Sequence, residues 1–548
     1  MKWNHLGRAM LLACTLTFLG CPPPSGPPDA PDASTGEPDA STGEPDASTG
    51  EPDASTGGAW DGSYVPLEET GNWSDTGRLA PCTFVPGNNA CDRSTFDLSG
   101  CNTGSLENTG TPGQYLLTAR EEDLASGAYR STNVMQFNVP RDGGTPRLGG
   151  LVLTELREGN VRLYTNHAAF TDGGTRRSAL VTCESPQAPD FTGCYAFCRN
   201  GQLLSASTIK SDRLTWRAGE AESSGLELVS ESRVDIGYPV DVYVTKGHAY
   251  VVSVTQVAAK PGGLTVFDLS NKAAPAKVKT IQLTGDAYWN GVWAKGDALY
   301  VASANKGVNV FDISNPADPK LVRNVPGGNL STHTVFVDGN RLYATANGSI
   351  ALFDITTPLA PVELNRYAAH PPYYPHDVFA VGDRLYVNYA EQGYDIVDVS
   401  NPNDLRTLGN FSHPGPQYSH HNAVGTFAGR TIAFMGGEGP GEHLRVLDIT
   451  DPAHIVKIGS FQLRAPISIH NMLLVGSKLY LSWYQEGVRV LDVSNPTRPT
   501  QVAYYNTFRE SDPGRGDYFD GAIGIRVPGD GYIYVVDTSR GLMLLREK

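Results

Sequence analysis

Four histidines, His333, His376, His421 and His470, stand at one position of a pattern that recurs through the C-terminal part of the chain. Val240, Asn290 and Asp520 stand there in the other copies, and successive positions are 43 to 50 residues apart. Imidazole titrates near neutral pH and offers nitrogen to transition metals, so converging histidines suit acid–base chemistry or metal ligation. Two similar loops, His370 to Asp377 and His413 to Asn422, bring Tyr374, Tyr418 and His420 to the same place. Further loops expected on that face carry Glu391 and Gln392, then Glu438, Glu442 and His443, then Gln485 and Glu486. Three neutral imidazoles plus a carboxylate suit Zn, Fe, Ni or Cu, with an open position for water. The candidate ligand-binding or metal residues are therefore His333, His376, His421, His470, Asn290, Asp520, His420, Tyr374 and Tyr418, and the candidate cofactor is a transition metal such as Zn. A structural reading stands beside this one: repeats arise by duplication, and one ancestral histidine plugging a channel would leave the same trace.

The elements that would position these residues are strands. Each copy contains four short runs alternating apolar and polar residues, broken by Gly, Asn and Pro; in the fourth copy they are His376 to Val381, Leu385 to Tyr389, Tyr394 to Val399 and Leu405 to Phe411. A four-stranded unit repeated every 40-odd residues predicts a β-propeller, here of seven blades, with the first residue of each inner strand near the channel mouth. The last copy ends after three strands, and Leu226 to Asp235 has the alternation of an outer strand, so it is expected to complete blade 7 and cover its edge. An Asp followed by an aliphatic residue and Ser or Thr recurs at Asp268, Asp312, Asp354, Asp398, Asp448 and Asp492. Such residues accept hydrogen bonds from nearby amides, so this phrase predicts turns rather than metal ligands.

That phrase, with the preceding Leu-Tyr-Val strand, as at Leu299, Leu385 and Leu479, makes the region from Gly225 to Lys548 resemble the LVIVD-repeat family of bacterial and archaeal surface proteins. The resemblance implies propeller blades and an exported or surface-attached protein, and it implies no particular reaction.

The N-terminus reads as an export signal over residues 1–20: Lys2 and Arg8, an apolar stretch from Ala9 to Leu19 too short to span a membrane, then Cys21. Phe18-Leu19-Gly20-Cys21 resembles the lipobox of bacterial lipoproteins, which implies lipidation at Cys21. Residues 21–59 form a low-complexity tether of Pro-Asp-Ala-Ser-Thr-Gly-Glu repeats, too poor in apolar surface to offset the entropy of ordering. Of the net charge of −15, the signal contributes +2 and the tether −8, leaving −9 for the rest. With no excess of basic residues, nucleic acid is excluded as a partner.

Residues 60–223 lack the repeat and read as a separate β-rich domain, with strand-like runs at Gln114 to Thr118, Val134 to Val139, Leu151 to Leu156, Val161 to Thr165 and Gln202 to Lys210. Cys82, Cys91, Cys101, Cys183, Cys194 and Cys198 all fall here; an even count in an exported chain predicts three disulfides, and six cysteines permit 15 pairings. The propeller occupies 224–548. No Gly-x-Ser-x-Gly elbow or His-Glu-x-x-His motif occurs, and Gly437-Glu-Gly-Pro-Gly441 lacks a helix to hold phosphate, so it reads as a loop. The expected protein is an all-β, lipid-anchored component of the cell envelope, at the outer membrane or cell surface. Its propeller serves as a binding platform at its top face for a protein or carbohydrate. A His-centred, metal-dependent hydrolase or lyase and a purely structural surface component are the alternatives.

Overall fold

The computed structural model describes residues 60–548, except 172, 256–259, 329 and 517. The expected signal, Cys21 and the tether lie outside the described residues. The described residues belong to one compact unit, and among them no helix is long and apolar enough to cross a membrane.

Seven sheets close into a propeller. Their innermost strands are Tyr238–Thr245, Trp289–Lys295, Thr332–Asp338, Asp377–Val381, Ser419–Phe427, Asn471–Val475 and Ala522–Arg526, which number blades 1 to 7. Blade 4 continues with Arg384–Asn388, Tyr394–Asp398 and Arg406–Phe411, every boundary within one residue of the expected runs. Leu226–Ser232 pairs antiparallel with the last strand, Gly541–Glu547, and so supplies the fourth strand of blade 7. Closure joins both ends of the ring and covers the edge of Gly541–Glu547.

The repeated phrases have identifiable work in this architecture. All six residues of Ala298–Ser303 are buried, whereas Lys320–Val325 in the same blade is mostly exposed. The middle strands are covered on both faces by neighbouring blades, which is why they read as nearly continuous apolar runs. Each aliphatic side chain so buried contributes roughly 1.5 to 3 kcal/mol. The six turn aspartates each accept a backbone N–H two residues on, at 2.7 to 2.9 Å. The tyrosine of the Leu-Tyr-Val strand can clip one blade to the next: Tyr250 donates to the Pro316 carbonyl at 2.9 Å and Tyr300 to the Pro358 carbonyl at 2.7 Å.

The N-terminal region is a nine-stranded antiparallel sheet that curls until its ends nearly meet. Its terminal strands, Leu151–Val152 and Thr154–Glu158, are separated in sequence by Leu153 alone, and Asn166 Nδ2 donates to the Val152 carbonyl at 2.8 Å. Three of its strands, Arg147–Leu148, Thr175–Glu184 and Thr192–Arg199, are absent from the sequence expectation. The disulfides are Cys82–Cys194, Cys91–Cys198 and Cys101–Cys183. The sulfurs of Cys82, Cys101 and Cys183 cluster because two bridges pack together, and all three are consumed in disulfides.

The separation between this region and the ring is incomplete. The first residues, from Trp60 to Gly77, run as a strap over blade 5: Arg430 Nε donates to the Gly62 carbonyl, the Leu67 N–H to the Lys457 carbonyl, and Asn72 Nδ2 to the Pro416 carbonyl. The sheet itself is tied to the ring by Arg213–Glu510 at 2.9 Å and by the Trp216 indole on the Phe508 carbonyl. Ser223–Ser224 adds a fifth strand to blade 6.

Candidate functional site

Strand register decides which side chains share a level of the channel. Val242, Val292, Val335, Val378, Asn422, Met472 and Ile525 face equivalent second-strand residues in the seven blades. Two residues earlier lies the upper tier: Val240, Asn290, His333, His376, His420, His470 and Ile523. Two positions differ from the spacing-based alignment. In blade 5 the residue two before Asn422 is His420, not His421; the register shift between Ser419 and His421 falls there, as shifts do at the same position in blades 1, 2, 3 and 7, and places His420 in the tier. In blade 7 the position belongs to Ile523; Asp520 lies outside the tier, where Tyr238 Oη donates to it at 2.5 Å and the Gly516 N–H at 2.6 Å.

The four tier histidines form a continuous arc. Ring centroids are 4.3 Å apart for His333 and His376, 4.2 Å for His376 and His420, and 4.5 Å for His420 and His470. Nδ1 of His420 lies 2.8 Å from the His470 carbonyl, and Nδ1 of His470 lies 2.9 Å from the Ile523 carbonyl. A carbonyl only accepts, so each neutral ring donates from Nδ1 and keeps its lone pair on Nε2. Asn290 Nδ2 is 3.1 Å from His333 Nε2. Burial holds His333 down to about 4 and both His420 and His470 to about 3, and pushes His376 well below its ordinary value. At neutral pH the arc is uncharged.

The next level of the channel comprises Asp241, Gly291, Thr334, Asp377, His421, Asn471 and Gly524. Here His421 Nε2 stands 3.6 Å from Asp377, whose carboxyl burial pushes up to about 8. Arg526 Nη2 stands 3.4 Å from Asp241. Both levels line a cavity of about 270 Å³ whose far wall is aromatic, with Trp293, Phe336 and Phe379 stepping around the ring at centroid spacings of 4.4 and 5.2 Å. Asp377, Asp241 and Arg526 escaped the sequence reading; the adjacency of Asp377 to His376 was the one available signal.

On the other side of the arc, Tyr374 lies 6.0 Å from His333, Tyr418 5.4 Å from His376 and Tyr484 5.2 Å from His470, centroid to centroid. The extra histidines of the two similar loops turn aside: His370 pairs with Asp395 at 2.9 Å and His413 stands 3.6 Å from Glu442. Among the loop acids, Glu442 and Glu486 are spent on the buried Arg445 and Arg489. Glu438 instead approaches the arc, its Oε2 3.8 Å from His420 Nε2 and its other oxygen accepting from the Tyr484 hydroxyl. Gly437 permits this turn, because a Cβ there would collide with the Glu442 carboxylate at 2.2 Å. One donor atom from each of His376, His420 and Glu438 lies within 4.8 Å of the others. Two imidazoles and one carboxylate are a donor set for a divalent transition metal.

The LVIVD repeat matches residues 236–282, 285–326, 374–412 and 476–507, within blades 1, 2, 4 and 6. Among solved structures the chain is similar to the WD40 β-propeller domain of Doa1, at 12% identity and a TM-score of 0.45, covering 59% of this chain and 98% of that one. A chain of the mitotic checkpoint complex matches at 11% identity and 0.43, covering 61% and 99%. The extracellular domain of the B. thetaiotaomicron protein BT4673 matches at 13% identity and 0.43, covering 58% of this chain and 39% of that one. No curated protein matches the sequence. Within the matched repeats the tier position is Val240, Asn290 and His376, so histidine there is not a fixed feature of the repeat. The four repeats, set in a seven-bladed ring, make this chain an LVIVD-repeat protein.

Proposed function

We propose that the protein is an envelope-tethered binding module whose propeller takes up a small polyhydroxylated ligand, of the carbohydrate class, in the channel beneath the histidine arc. The cavity between a polar and an aromatic wall carries this reading. At about 270 Å³ it suits a molecule of monosaccharide size. A sugar presents hydroxyls that exchange hydrogen bonds with Asp, Asn and His, and a C–H face that packs on aromatic rings; Asp241, Asn471 and His421 supply the first kind of contact, Trp293, Phe336 and Phe379 the second.

Saturation-transfer NMR against a panel of monosaccharides tests it. Transfer to at least one sugar is expected with the wild-type protein and not with Phe336→Ala/Phe379→Ala; no transfer to any sugar, or equal transfer from both proteins, would sink the reading. The envelope location rests on the apolar stretch and the lipobox-like segment ending at Cys21. Cys21→Ala should move the protein from the membrane to the soluble fraction, and unchanged fractionation would refute lipidation there.

A further inference from the structure

We propose that His376, His420 and Glu438 form a divalent zinc site in the roof of the channel; the proposal rests on the channel being the working site and names its cofactor. Four observations on these residues converge. The donor atoms already lie within 4.8 Å of one another. Around one zinc with bonds of about 2.1 Å, adjacent tetrahedral donors stand roughly 3.3 Å apart, so closure takes side-chain movements of about an ångström.

The lone pair of His420 is oriented and unspent. His420 is 1% exposed, and with its Nδ1 on the His470 carbonyl, its Nε2 faces Glu438 with no hydrogen-bond partner among the described residues. His376 Nδ1 is likewise buried without one. A metal-bound imidazole ordinarily has its other nitrogen fixed by an acceptor, which the His470 carbonyl provides, and a metal-bound carboxylate is fixed by a donor, which Tyr484 provides.

Charge points the same way. The neighbouring acids Glu69, Glu442 and Glu486 each pair with arginine, but Glu438 has no Lys or Arg partner among the described residues. Two imidazoles and a carboxylate gathered within 4.8 Å, with no basic side chain among them, are complementary to a cation. Finally, three of the four arc histidines, His333, His420 and His470, lie outside the matched LVIVD segments, so the repeat itself does not account for them. His333 and His470 flank the donor pair, and both His376 and His420 line the ligand cavity, so an open coordination position would serve a hydroxylated ligand.

The full chain, treated with chelator and dialysed, is titrated with Zn(II) by calorimetry and with Co(II) by visible absorption. One equivalent should bind, with at least a hundredfold loss of affinity in the near-isosteric Glu438→Gln and in His420→Ala. No binding by the wild type, or undiminished binding by His420→Ala/Glu438→Gln, would overturn the site. X-ray absorption of the wild-type zinc complex needs no variant: two imidazole ligands are expected, and a shell without imidazole overturns the proposal. Saturation transfer to sugars repeated on the chelator-treated protein reads the ligand pocket separately, so a lost metal site and a lost sugar site give different results.

Discussion

Blade 5 contributes to two buried polar clusters whose acids are only four residues apart, and they are built on opposite terms. Around Arg445, every hydrogen-bonding arm finds an acceptor: Glu69 at 2.9 Å, Glu442 at 3.0 Å and Asn72 at 2.7 Å, with Lys457 also 3.0 Å from Glu69. Around His420, imidazole nitrogens and a carboxylate face one another with no cation among the described residues. The first cluster fastens the strap to the ring, since Glu69 and Asn72 belong to the strap. A clamp is recognised by complete pairing and a candidate site by donors left over, even where both are equally buried.

The comparison is put under greatest stress by Arg445→Ala. Removing the cation leaves Glu69 and Glu442 facing each other in a buried place, which should cost about 3 to 5 kcal/mol. Burial opposes ionisation of Glu69, but Arg445, helped by Lys457 and the Gly71 N–H, holds it down to about 2, so the carboxylate is charged across the working pH range. A lower urea midpoint and faster proteolysis between Trp60 and Gly77 are expected. An unchanged midpoint would show that the clamp contributes nothing.

The acid response should sharpen the contrast. Burial, reinforced by Arg445, lowers His443 to about 4, well under the ordinary 6.5. A group depressed on folding stabilises above its unfolded value and loses that contribution as pH falls towards the folded one. The loss therefore falls between pH 6.5 and 4 and amounts to at most about 3 kcal/mol, at 1.36 kcal/mol per unit. Glu69 loses its contribution in the same direction, from its ordinary 4.5 down towards 2. Urea titrations at pH 7 and 4.5 should show His443→Gln losing less than the wild type; equal losses would remove His443 from the account.

These clusters also show where the sequence is readable. The turns at Asp312 or Asp398 were legible because donor and acceptor are two residues apart, and the blades because the pattern recurs seven times. The closing strand was legible from what blade 7 lacked. The level of His420 was not, because two adjacent histidines differ only by a bulge, and a bulge is settled by pairing with the Arg430–Gly437 strand. The exchange of Asp520 for Ile523 is larger, three residues, and is settled by the pairing of Ala522–Arg526 with Ile533–Asp537. The strap was invisible for another reason: Asn72 and Pro416 are 344 residues apart, and no local pattern records such a contact.

The smallest stability effect belongs to the His420 cluster, and it is the most discriminating. Burial raises the Glu438 carboxyl above its ordinary value, so without metal little charge stabilisation is at stake there. Glutamine keeps an oxygen for the Tyr484 hydroxyl and nearly the same volume, so Glu438→Gln in chelator should shift stability by less than about 0.5 kcal/mol. Glu442→Gln, four residues on, weakens a charged bond to the fully buried Arg445 and should cost about 1.5 to 3 kcal/mol. Zinc at a hundred times its wild-type Kd should then add about 2.7 kcal/mol to the wild type and at most about 0.4 kcal/mol to Glu438→Gln, because a ligand stabilises only the fold that binds it. Equal losses for the two Gln variants, with no zinc response in either protein, would mean that Glu438 is a second clamp and that unspent donors do not mark a site.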